Sequence, residues 1–131
     1  YIEVQIHSIL NLATDIELLV ADPSFRNTPS GLELEQLAAR YSIPLVFHKG
    51  FQLSFDATIS PEFRGPAIPR LAQRLRKQYK HSGKIHVELV GRAAVSVVEN
   101  PKEWEDWGTP AESLQHLKQL WHVLVWYGEP Y

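Results

Sequence analysis

A chain of 131 residues has ordinary single-domain length, and its 44% hydrophobic content, with four Trp, five Tyr and five Phe, supplies enough apolar surface for one packed core. A formal charge of -2 argues against sequence-independent nucleic-acid binding, which needs a clear basic excess, and the absence of cysteine excludes disulfides, thiolate metal sites and thiol catalysis. No apolar run approaches the roughly 18 residues that cross a bilayer, so no membrane span is expected and the compartment is read as cytoplasmic.

In chain order, Ile2, Val4 and Ile6 alternate with Glu3, Gln5 and His7, the period of a half-buried strand over Ile2 to Ile9. Ile16 to Ala21 is apolar on both faces and closes at Asp22-Pro23, which predicts a central strand. Ser30-Gly31-Leu32-Glu33 has capping-box spacing, and Leu34, Leu37, Ala38 and Tyr41 continue it as a helix that stops at Ile43-Pro44. Leu45 to His48 predicts a third, buried strand, and Leu53 and Phe55 suggest an edge strand before the Pro-rich stretch that follows.

From Pro69, the residues Leu71, Leu75 and Tyr79 predict a second helix, ended by Ser82-Gly83. Ile85, Val87 and Leu89 alternate with His86 and Glu88 up to Gly91-Arg92, which predicts a hairpin returning through Ala93 to Glu99, with a single long, bent strand as the alternative. Thr109-Pro110-Ala111-Glu112 combines a capping box with Pro at the first helical position and opens a helix through Leu114, Leu117, Trp121 and Leu124. These elements make one α/β domain over residues 1–131, with a mixed, mainly parallel sheet of about five strands and three principal helices. With no Met and an end amid Trp126 and Tyr127, the chain is expected to be a fragment of a longer polypeptide.

Asp22 stands where an apolar strand runs out, the end at which open α/β sheets place ligands and catalytic carboxylates. His48, at the end of the neighbouring strand, and Glu99, at the end of the third apolar stretch, could join it in acid/base or hydrolytic chemistry. No cofactor is expected, because P-loop, G-x-G-x-x-G and H-E-x-x-H spacings are all missing, and no metal site is assigned. Asp22, the Ser30-Gly31-Leu32-Glu33 helix start and the Ile43-Pro44-Leu45-Val46-Phe47 strand together make residues 16–47 resemble part of a response-regulator receiver domain. No acidic pair closes the Ile2 to Ile9 stretch, His48 replaces a hydroxyl residue, and no Lys-Pro follows a later strand. The resemblance therefore implies a degenerate receiver, used for binding rather than phosphoryl transfer.

The second helix carries Arg70, Arg74, Lys77 and His81 at spacings of four, three and four, a basic stripe suited to an acidic protein surface or another domain of the same polypeptide, ahead of nucleic acid. Trp126 and Tyr127 belong to residue types that dominate binding hot spots. The expected function is a non-enzymatic regulatory or protein-interaction module, and the competing one a small hydrolase or nuclease built on Asp22, His48 and Glu99.

Overall fold

A computed structural model describes residues 6–59, 65–79 and 83–131. It is a mixed α/β chain with four α-helices and four short strands among those residues. β1 (Leu19–Ala21) pairs in parallel with β2 (Leu45–Phe47), and α1 (Pro29–Tyr41) forms the crossover between them. β3 (Gln52–Ser54) pairs antiparallel with β4 (Lys84–His86), and α2 (Ala67–Gln78) lies between those two in sequence. α3 (Val87–Glu99) follows β4 directly, a 3-10 segment spans Pro101–Trp107, and α4 (Pro110–Tyr127) completes the chain.

The main core lies between α2, α3, α4 and the β3–β4 ribbon. Leu71 and Leu75 of α2, Ala93 and Val97 of α3, and Leu117 and Leu124 of α4 meet there, closed by Leu53 and Ile85 from the ribbon and by Trp104. α4 starts as its sequence requires: Thr109 accepts from Glu112 N–H, and the Glu112 carboxylate accepts from Thr109 N–H. Beyond α4, Glu129 exchanges both backbone hydrogen bonds with Gln52, and Tyr131 N–H donates to Lys49 C=O, so the tail extends the ribbon.

Two sheets of two strands replace the single five-stranded, mainly parallel sheet that the sequence suggests. The main reason is Val87 to Glu99, a helix where β-branched residues and Gly91-Arg92 imitate a hairpin. Leu89, Val90, Ala93 and Val97 are buried at helical spacing, and His86 caps the first turn by accepting from Leu89 N–H. Gly91 is interior to that helix, facing the Phe25 ring.

The parallel pair is shorter and more open than a central strand pair. Val20 and Val46 sit opposite one another in register, and both are exposed. Of the strand expected over Ile2 to Ile9, residues 6–9 are not strand and Ile6 and Ile9 are exposed, while residues 2–5 lie outside the described residues. The cap of α1 is Thr28, accepting from Gly31 N–H, rather than Ser30, because Pro29 is best placed at the first helical position. Leu34, Leu37 and Trp121, expected in the core, are only half-buried, whereas Leu71, Leu75, Leu117 and Leu124 are buried as expected.

Candidate functional site

Asp22 and His48 come together. Each stands just past the carboxyl end of its parallel strand, and His48 Nε2 lies 3.5 Å from Asp22 Oδ2. Asp22 is 5% exposed, and its Oδ1 accepts from both Ser24 N–H at 2.9 Å and Ser24 Oγ–H at 2.6 Å. Ser24 Oγ in turn accepts from Glu88 N–H at 3.1 Å, so one buried hydroxyl ties the strand end to the first turn of α3. Asp22 Oδ2 has no hydrogen-bond partner among the described residues.

The His48 ring is held from the other side by Gly50 N–H, which donates to Nδ1 at 2.9 Å. That contact occupies Nδ1 and leaves Nε2 on the side of the carboxylate. Gly50 has φ 76, and an added Cβ would meet Tyr131 Cβ and Pro23 Cγ, so the turn that presents His48 requires glycine. A hollow of about 310 Å3 opens beside the pair, with Val20, Phe25, Leu34, Phe51, Val87 and Trp121 as its apolar walls.

Glu99 does not join them. Val87 lines this hollow and Glu99 closes the same helix twelve residues later, about 18 Å along the axis at 1.5 Å per residue. Glu99 lines a separate apolar depression with Val95, Val98 and Leu114. Among the described residues no group of three His, Asp or Glu side chains is placed to hold a metal ion.

Ser24, Glu88 and His86 belong to the same neighbourhood and carry no sequence signal of it, since Ser24 and Glu88 are 64 positions apart. Glu88 is buried and paired with Arg92 Nε at 2.7 Å. Burial lowers the His86 pKa below its ordinary 6.5; Arg92 lowers it further, while Glu88 and Asp22 oppose the shift. His86 also stands edge-on to the Tyr131 ring.

Protonating His86 removes the lone pair on Nδ1 that caps α3. Between the depressed folded-state pKa and about 6.5 the unfolded chain binds the extra proton and the folded chain does not, so stability rises with pH across that window and is lost as pH falls through it. His86→Asn, which keeps a capping oxygen without a titrating group, should show a smaller loss of urea stability than the parent between pH 7.5 and pH 5.5. Equal losses in the two proteins would exclude His86 as the responsive group.

The basic stripe has a different fate from a free charged face. The Arg74 guanidinium stacks over Trp104 at 4.1 Å, donates to Glu103 C=O and pairs with Asp106 at 3.4 Å, and Arg70 stacks over Trp107 at 5.0 Å. A hollow of about 530 Å3 between α2 and the 3-10 segment has Arg70, Arg74 and Lys77 on one side and Glu103 and Asp106 on the other, so both signs of charge line it. His81 lies outside the described residues. Trp126 and Tyr127 are exposed at the end of α4. No helix among the described residues is long and apolar enough to cross a membrane.

A family model described as a protein of unknown function, DUF3626, matches residues 1–127 of the chain. No curated protein and no solved structure matches it.

Proposed function

The chain belongs to the DUF3626 family, and from that premise we propose that it is a non-enzymatic binding module whose recognition element is the hollow beside Asp22 and His48. One observation carries the reading: Asp22 Oδ1 and His48 Nδ1 are committed inside the protein, and Asp22 Oδ2 is left as a buried acceptor without a hydrogen-bond partner among the described residues. Ser24 Oγ–H is given to Asp22, His48 Nδ1 is occupied by Gly50 N–H, and His48 Nε2 faces Asp22. A hydrolase needs a nucleophile within reach of substrate, and this arrangement holds the Ser24 hydroxyl buried between Glu88 N–H and Asp22. It offers a shaped apolar recess with a buried acceptor, which suits recognition. The separation of Glu99 from the pair weighs against the hydrolase or nuclease reading in the same way.

Heteronuclear NMR with indole and phenol as probes tests this. Shift changes should cluster on Val20, Phe51, Val87 and Trp121, and Val87→Trp, which fills the recess from the first turn of α3, should remove them. Shifts scattered elsewhere, or persisting unchanged in the filled variant, would move the binding surface away from Asp22.

The exposed Trp126 and Tyr127 support a second contact surface, for another domain of the same polypeptide or an acidic protein. Of the stripe, Lys77 remains the exposed basic residue on α2 best placed to reach such a partner, since Arg70 and Arg74 are stacked on tryptophans.

A further inference from the structure

Resting on the reading of this hollow as a binding site, we infer that its ligand is a small organic cation, an ammonium group carried on a flat apolar body, as in an arylalkylamine. Asp22 Oδ1 is saturated by the two Ser24 donors, while Oδ2 is buried and has no hydrogen-bond partner among the described residues. A carboxylate oxygen withdrawn from water without a donor costs free energy, and a donor brought by a ligand offsets that cost. His48 Nε2 stands at 3.5 Å, beyond the usual range of an N–H to oxygen hydrogen bond, so it does not meet the requirement. A charged N–H donor meets it best, because hydrogen bonds to an ionised donor are about twice as strong as neutral ones.

The walls specify the rest of the ligand. Phe25, Phe51 and Trp121 bring three aromatic rings to a recess that also holds a carboxylate, a combination that favours a cation through the negative ring faces and an apolar body through burial. At about 310 Å3 the space is at the small end of ligand sites and suits an indole with a short amine arm better than a nucleotide or a peptide. An anion would meet a buried carboxylate without a Lys or Arg in the lining to offset it. A bare metal ion would find fewer than three ligands.

Three probes of one shape decide the matter on the whole chain: tryptamine, its neutral counterpart tryptophol, and its acidic counterpart indole-3-propionate, titrated by calorimetry with NMR to locate them. Tryptamine should bind at least roughly tenfold more tightly than either of the others. Asp22→Asn, which keeps an oxygen for Ser24 and presents an amide at the bare position, should abolish that preference. Equal affinity of all three probes at Val20, Phe51, Val87 and Trp121 overturns the cation while leaving the binding site standing. Failure of all three to perturb those residues overturns both. Should the Asn variant not fold, the ranking on the parent protein is sufficient by itself.

Discussion

Trp104→Ala should lose about 3–5 kcal/mol of unfolding free energy, the usual range for emptying a fully buried Trp site. Trp104 is 1% exposed, belongs to the main core, and donates from Nε1 to Ser96 Oγ at 3.1 Å across to α3. Its ring also carries the Arg74 guanidinium, so truncation removes apolar burial, a hydrogen bond and a cation–π contact in one step. Against the total stability of about 5–15 kcal/mol typical of a domain, that loss approaches the unfolding threshold. Urea denaturation measures it directly; a loss below about 1 kcal/mol would show that Trp104 does not hold the 3-10 segment to the helices.

Charge reversal on α2 should split by residue. Arg74→Glu is expected to cost about 2–4 kcal/mol, since it exchanges a stacked, hydrogen-bonded cation for a carboxylate facing Glu103 C=O and Asp106. Lys77→Glu, one turn along the helix and exposed, should stay within about 0.5 kcal/mol. Read as a solvated stripe, the sequence predicts no penalty for either change. Equal urea midpoints for the two variants would restore that reading and remove the structural role of Arg74. Because Arg74 and Trp104 share a contact, their combined effect should be smaller than the sum of the two.

Where local chemistry decides the outcome, the sequence is readable. Thr109-Pro110-Ala111-Glu112 names the start of α4 because a hydroxyl cap, a proline lacking an N–H and a reciprocal carboxylate all point to the same boundary. Asp22 and His48 are legible as neighbours because each ends an apolar stretch, and parallel pairing across α1 brings such ends together. Val87 to Glu99 is misread because five of its thirteen residues are Val and the alternation over Ile85, Val87 and Leu89 has strand period, while the deciding signals are burial of Ala93 and Val97 and the cap at His86. An imidazole is an unusual cap, and the burial depends on α4, which lies later in the chain. Ser24, Phe51 and Trp121 reach the site only through tertiary packing, so no spacing rule joins them to Asp22.

The core is unevenly shared between the two halves of the chain. The β1–α1–β2 unit contributes Ala21, Ala38 and Ile43 as its buried apolar side chains, while α2, α3 and α4 hold the large cluster. Apolar burial is what opposes local opening, so amide hydrogens in β1 and β2 are expected to exchange with solvent through an excursion that leaves the helical half closed. That excursion parts Asp22 and His48 from Val87 and Trp121, the opposite wall of the hollow. A molecule seated there touches both halves, and its binding free energy is added to the work of opening, so occupancy is recorded as slowed exchange at strands the molecule need not cover.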